Sequence, residues 1–233
     1  MFADYRIKHT LAKLVSRMSL LTMKISRIFL SLFFSLVVAV ATAQVGMDSL
    51  KRELQREIKS YPATVGVALI VNGRDTLALN NEVQYPMMSV FKFHQALAVA
   101  DYLQRNQMSF DTPLAVQKAD LKENTYSPLR DKYPQGGVTK TVTACTTGTA
   151  RLPYPLQGTE AVLGHKTGTG DRNERGEYIG INDIGFVLLP GGNRYVIAVL
   201  VKDSRASYEE TEAMIGRVSE IVYKYIKHLF LII

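Results

Sequence analysis

Apolar positions fall into two periods along this chain. Thr64 to Val71 is apolar and rich in β-branched residues, Asn72-Gly73 is a hairpin turn, and Asp75 to Leu79 runs back. Three further strands are predicted at Ala161 to Gly168, Tyr178 to Leu189 and Tyr195 to Lys202. They are separated by a charged turn, Asp171 to Gly176, and by Pro190-Gly191-Gly192-Asn193. The helical period appears in Met47 to Lys59, with Leu50, Leu54 and Ile58 four apart. It returns in Glu209 to Leu229, with Ile215, Val218, Ile221, Val222, Tyr225 and Leu229 on one face. Ser89 to Leu103 is nearly all apolar, which predicts a helix buried on most sides. Residues 104–140 are polar, carry Pro113, Pro128 and Pro134, and read as loop with little helix. The order implies an α+β fold: a five-stranded antiparallel sheet with the N- and C-terminal helices packed on one face.

The net charge of +7 suggests an acidic partner until it is divided along the chain. Residues 1–43 hold six Lys/Arg and one acid; the rest hold 22 Lys/Arg and 20 acids, a balance of +2. The mature part therefore offers no basic face for nucleic acid. Lys24 and Arg27 precede an apolar run, Ile28 to Val40, which ends in Ala41-Thr42-Ala43. That is a leader with a small-x-small cleavage site, expected over 1–43, with 44–233 as the mature domain. The run is shorter than the roughly 20 residues a bilayer requires, so no stable membrane insertion is expected after cleavage. An uncleaved anchor is the alternative. Met23 followed by Lys24 reads as the natural start. Cys145 is the one cysteine, so no internal disulfide is expected. His9, His94, His165 and His228 are scattered, without metal spacing, and no metal or cofactor is expected.

The candidate chemistry lies in Ser89-Val90-Phe91-Lys92 and Lys166-Thr167-Gly168. With each residue at roughly 6% usage, Ser-x-x-Lys arises by chance about once in such a chain, and Lys-Thr-Gly in about one such chain in twenty. On a helix, positions i and i+3 share a face, so Lys92 projects beside Ser89. A serine hydroxyl attacks only when a base takes its proton. Burial and a second cation, Lys166, would make Lys92 a plausible base. Lys166 would attract a substrate carboxylate, with the Thr167 and Thr169 hydroxyls as further donors, and Gly168 lets the backbone approach a ligand closely. An isolated Ser and Lys at a helix start also read as a cap and a solvated charge. Arg172, Asn173 and Arg175 read as a solvated turn.

Several segments carry a resemblance. Pro86-Met87-Met88-Ser89-Val90-Phe91-Lys92-Phe93-His94 resembles the nucleophile segment of class A serine β-lactamases, and His165-Lys166-Thr167-Gly168-Thr169-Gly170 resembles their third strand. Tyr126-Ser127-Pro128, Cys145-Thr146-Thr147-Gly148 with Arg151-Leu152, and Asn182-Asp183-Ile184-Gly185-Phe186 are similar to further segments of that family, in its extended-spectrum, Bacteroides-like branch. The likeness runs from about Leu50 to about Ile226. It implies Ser89 as nucleophile and Lys92 as base. It implies Lys166, Thr167, Gly168, Thr169 and Tyr126 around the substrate, and an oxyanion hole from the Ser89 and Thr169 backbone N–H groups. Tyr126 alone reads equally as core.

The chain departs from that pattern between the two motifs. Lys92 and Lys166 lie 74 positions apart (166 − 92), and the family interval is about double. No Ser-x-Asn and no Glu-x-x-Leu-Asn occurs, so the Ser-Asp-Asn loop and the Ω-loop glutamate have no counterpart. An internal deletion near 140–145 is expected, with the helical subdomain largely missing. The Ser89 helix would then expose an apolar patch and favour association, although family members are monomers. The implied activity is opening of β-lactam amides in the periplasm or outside the cell, with impaired turnover. The alternatives are a non-catalytic β-lactam-binding remnant and a cell-wall D-Ala-D-Ala peptidase or transpeptidase.

Overall fold

The computed structural model describes residues 46–121, 123, 127–140 and 147–231. The chain divides into two compact units, Met1–Leu50 and Lys51–Ile233. Of the first, only 46–50 is described, as the start of helix α1 (46–59). The expected leader, Tyr126 and Cys145 lie outside the described residues.

The second unit is built on a five-stranded sheet in the order β2-β1-β7-β6-β5, with every pairing antiparallel. The strands are β1 Thr64–Val71, β2 Asp75–Leu79, β5 Val162–Thr169, β6 Ile181–Leu188 and β7 Arg194–Lys202. This is the α+β sheet expected from the sequence. The β1–β2 turn places Asn72 and Gly73 at φ 51° and 71°, the left-handed pair that a two-residue hairpin requires.

Strand alternation gives the sheet two unlike faces. Val65, Val67, Leu69 and Val71 of β1 and Tyr195, Ile197, Val199 and Val201 of β7 point to one face and are buried. Helix α4 (Tyr208–Leu231) lies on that side and buries Met214, Ile215, Val218, Val222 and Ile226. Its start is a capping box: the Ser207 hydroxyl accepts from the Glu210 N–H, and the Glu210 carboxylate accepts from the Ser207 N–H. An Arg217–Glu57 ion pair of 2.5 Å ties α4 to α1, which buries Leu54 and Ile58.

The other face is largely open. Ile70, Val196 and Phe186 stand side by side in register across β1, β7 and β6, and Leu188 and Val162 follow on β6 and β5. All five are exposed. Among the described residues, the segment before helix α2 (Phe91–Arg105) crosses this face. Against the expectation of burial on most sides, α2 buries only Leu103, while Phe91, Leu97 and Tyr102 are exposed. An apolar run predicts contact, but among the described residues no layer covers this one.

Residues 104–140 also depart from the expected loop. They form β3 (Pro113–Gln117), paired antiparallel with β4 (Gly136–Lys140), and a short helix α3 (Pro128–Lys132). These elements are short, and of both strands' described side chains only Val116 is buried. They therefore leave little hydrophobic period in the sequence. Ser127 caps α3 by accepting from the Arg130 N–H, and Pro128 takes the first helical position.

Tyr195 has a cost built in. It is buried, and its hydroxyl has no hydrogen-bond partner among the described residues. Burial, and then the neighbouring Tyr223, push its phenol above the ordinary tyrosine range. A raised folded-state pKa means that stability is intact below the unfolded value of about 10 and is lost as pH rises beyond it. Tyr195→Phe should stabilise the chain by about 1 kcal/mol at neutral pH, by removing an orphaned hydroxyl. It should also flatten the alkaline loss. Thermal unfolding at pH 7 and pH 10.5 measures both, and a variant less stable at both would show that the hydroxyl has a partner.

Candidate functional site

The segment before Ser89 crosses the open face over one row of cross-strand neighbours. Gly66, Leu200, Asn182 and Gly168 are paired in sequence across β1, β7, β6 and β5. A Cβ on Gly66 would lie 2.8 Å from the Tyr85 ring, and one on Gly168 would lie 3.0 Å from the Met87 carbonyl oxygen and 3.1 Å from the Ser89 nitrogen. Missing side chains thus let the crossing segment lie directly on the sheet. Asn182 holds the middle: its amide donates to the Pro86 carbonyl at 2.7 Å and the Met87 carbonyl at 3.2 Å.

Met88 then turns through φ 49°, and Ser89 sits in a single 3-10 turn, Met88–Val90, rather than capping an α-helix. The Met88 side chain fills a slot beside Gly170 and Gly180, where a Cβ would come within 2.7 Å and 2.9 Å of it. Lys92 reaches back one turn, and its Nζ donates to Ser89 Oγ at 3.4 Å. The expected Ser-Lys neighbours are therefore together. The expected burial of Lys92 is not found; its side chain is exposed because the α2 face around it is uncovered.

Strand β5 divides its residues between the two sides of the sheet. Lys166 and Gly168 face the nucleophile side. The Lys166 ammonium donates to the Thr167 carbonyl at 2.8 Å. Thr167 and Thr169 point to the helix-covered side. Thr167 is buried, and its hydroxyl pairs with that of Thr147 at 2.6 Å, so the substrate-facing hydroxyl expected there is already engaged. Thr169 is exposed, and its hydroxyl accepts from Arg151 at 2.8 Å.

Arg151, quoted from the sequence only as part of a turn, is the charged centre of the helix side. It is buried, and its guanidinium spends its donors on Glu212, Tyr208, Thr169 and the carbonyls of Gly168 and Asn182. One cation thus binds the backbones of β5 and β6 together at the end where Ser89 arrives. Gly148 lets its turn approach: its φ is 73°, and a Cβ there would lie 2.5 Å from Thr167 Cγ2. A lone arginine in a turn gives no periodic signal, so only the fold reveals this role.

Asp183, the neighbour of Asn182, points to the helix side and is fully buried. It accepts from the Leu152 N–H and pairs with His165 Nδ1 at 3.0 Å. The charged turn beyond β5 is tied to itself and to the chain just after β7. Arg172 donates to the Gly176 carbonyl and lies over the Tyr178 ring. The Asn173 amide, then Arg175 and Arg205, hold the Glu177 carboxyl below the usual carboxylate range. Tyr126, expected at the lip of the site, lies outside the described residues.

The sequence and the fold are similar to those of known proteins. The sequence model described as "Beta-lactamase enzyme family" matches residues 49–147 and 138–226. A curated beta-lactamase of Bacteroides uniformis is 26% identical over 283 positions, covering 82% of this chain and 95% of that protein. The crystal structure of a class A beta-lactamase from Bacteroides cellulosilyticus superimposes with TM-score 0.70 at 26% identity, covering 78% of this chain and 99% of that one. The TLA-1 extended-spectrum beta-lactamase does so with TM-score 0.68 at 27% identity, again over 78% and 99%.

Arg151 should behave as a buried cation with one carboxylate partner. Arg151→Met should cost about 3–5 kcal/mol, because it strands Glu212 and four other acceptors. Adding Glu212→Leu should recover part of that loss. Urea unfolding of the two single variants and the double variant measures the cycle; additive losses would show that the pair is not coupled.

Proposed function

The chain belongs to the beta-lactamase enzyme family, and we propose that it opens β-lactam amides through an ester on Ser89 and releases that ester slowly. The observation that carries the reading is the Lys92–Ser89 contact of 3.4 Å beside Gly168 of β5, in a chain of this family. In its neutral form the Lys92 amine takes the Ser89 proton, and Oγ attacks the lactam carbonyl carbon. The oxygen becomes an oxyanion facing the N–H groups of Ser89 and Thr169. The C–N bond then breaks, the proton passes to the ring nitrogen, and the acyl group remains on Ser89. Lys166 attracts the substrate carboxylate, and Arg151 adds positive charge behind Thr169. Tyr126 is the proposed aromatic lip.

Slow release follows from what lies between the motifs. Hydrolysis of the ester needs a water and a base to take its proton. The sequence holds neither a Ser-x-Asn nor a Glu-x-x-Leu-Asn to supply those groups. The Bacteroides uniformis alignment supports a missing stretch: 82% of 233 residues is about 191, so about 92 of its 283 positions face no residue of this chain. Loss of a positioned base costs about 10²–10⁴ in rate. The same absence favours, as the second reading, a protein that binds or traps β-lactams without turning them over.

Incubation with a penicillin should give one adduct by intact-mass spectrometry, absent in Ser89→Ala. A chromogenic cephalosporin should show a burst followed by turnover at least about 10²-fold slower. Labelling that persists in Ser89→Ala excludes the nucleophile, and many Ser89-dependent turnovers per second exclude slow release.

We also propose export, with cleavage before Gln44, on the Lys24–Ala43 pattern. Among the described residues no helix is long and apolar enough to cross a membrane. The uncovered sheet face makes self-association the expected state of the exported chain. Protein from the envelope fraction should begin at Gln44 and scatter light as more than a monomer. Full-length chain in the cytosol would contradict export, and a monodisperse monomer would contradict association.

A further inference from the structure

We propose that Asn182 is the positioning residue that fixes the Ser89 nucleophile against strand β5. The inference rests on the reading above that Ser89 is acylated. Asn182 is fully buried on the open face of β6, beneath the crossing segment. Its side chain makes three bonds, all to main-chain groups. The amide donates to the Pro86 and Met87 carbonyls, and the carbonyl accepts from the Val201 N–H at 3.0 Å. Its own main-chain carbonyl accepts from Arg151 at 2.7 Å. Asn182 is thereby joined to β7, to the Arg151 centre and to the chain two and three residues before Ser89.

That location matters because the two oxyanion donors lie on separate pieces of chain. The Thr169 N–H belongs to β5, while the Ser89 N–H belongs to a turn that follows Met88 at φ 49°. Contact at Gly168 limits how closely the turn can approach the strand. Contact alone sets no register along the sheet; directed hydrogen bonds do. Asn182 supplies those bonds at the last two carbonyls before the strained residue. Loosening them shifts the Ser89 oxygen and N–H relative to Thr169, and a misplacement of about 1 Å costs about 10²-fold in rate. Substrate binding through Lys166 uses none of these bonds, so the loss belongs to the chemical step.

Only an amide fits the position. A carboxylate of the same shape could still accept from Val201, but it would set negative charge against two carbonyl oxygens. The charged groups next to this stretch are the Arg151 guanidinium on the residue's own carbonyl, Lys166 one row away on β5, and Asp183 paired with His165 on the opposite face. Asn182→Asp therefore removes both donors at neutral pH and restores one when the new carboxyl is protonated.

The experiment measures acylation by a penicillin with time-resolved mass spectrometry, for the unmutated chain and Asn182→Asp, across pH 5 to 8. Thermal unfolding is followed at each pH. Acylation of the folded variant should be about 10²-fold slower at neutral pH, with the dissociation constant of the preceding complex unchanged. The ratio to the unmutated chain should recover as pH falls. A folded variant acylated within about twofold of the unmutated chain at every pH overturns the proposal, as does a loss confined to the dissociation constant. If the variant does not fold, nuclear magnetic resonance of the unmutated chain decides. The Asn182 side-chain amide protons should be protected from exchange and shift when Ser89 is acylated; exchange at the rate of a free amide overturns the proposal. An unmutated chain that forms no adduct overturns the reading of Ser89, and this inference with it.

Discussion

Everything at this site depends on a chain segment lying flat on a β-sheet. A sheet face normally holds side chains that keep a crossing backbone at a distance. Here the row beneath the segment is Gly66, Leu200, Asn182 and Gly168. The glycines at its ends make room, one for the Tyr85 ring and one for the Met87–Ser89 backbone. Asn182 replaces the missing side-chain contacts with hydrogen bonds to that backbone. The arrangement holds Met88 at φ 49°, a conformation costing about 1–3 kcal/mol that persists only where the surroundings over-determine it. The same constraint sets Ser89 beside β5 and Lys92 beside Ser89, so nucleophile, base and strand are positioned by one packing solution.

Strand β6 serves both sides of this arrangement with consecutive residues. Asn182 points to the nucleophile side and Asp183 to the helix side, where it fixes Leu152 and His165. The Leu152 turn carries Arg151, whose guanidinium bonds the main-chain carbonyls of Gly168 and Asn182. A buried cation is expensive, and it is tolerated here because Glu212 and four other acceptors surround it. The strand pair β5–β6 and the segment before Ser89 are thus braced from both faces: by an amide above the sheet and by an arginine below it.

The strands were legible in the sequence because their alternation is strong. Thr64–Val71 and Asp75–Leu79 fold with the expected bounds, and β7 and α4 lie within two residues of them at each end. The motif pair was legible too, since Ser89 and Lys92 meet as i, i+3 spacing requires. What the sequence hid was context. The apolar run of α2 signals a buried helix only if something covers it, and periodicity says nothing of the partner layer. The motif names Thr167 only as a residue type; the pairing of its hydroxyl with Thr147, distant in sequence, is visible only in the fold. Arg151 and Asn182 carry no local pattern, because their partners lie far along the chain. The β3–β4 pair buries little and so left little trace.

Formation and release of an acyl ester draw on different parts of such a site. Formation needs a nucleophile, a base within one helical turn and two fixed donors, and the groups proposed for these roles all lie on the sheet, its crossing segment and the first turn of α2. Release needs a second nucleophile, a water, brought to the ester with its own base. In this chain Lys92 and Lys166 lie only 74 positions apart (166 − 92). The core of the sheet is on the face away from Ser89, against α1 and α4. A sheet stabilised on that face can thus keep its fold, and hold Ser89 beside Lys92, while its opposite face stays open among the described residues.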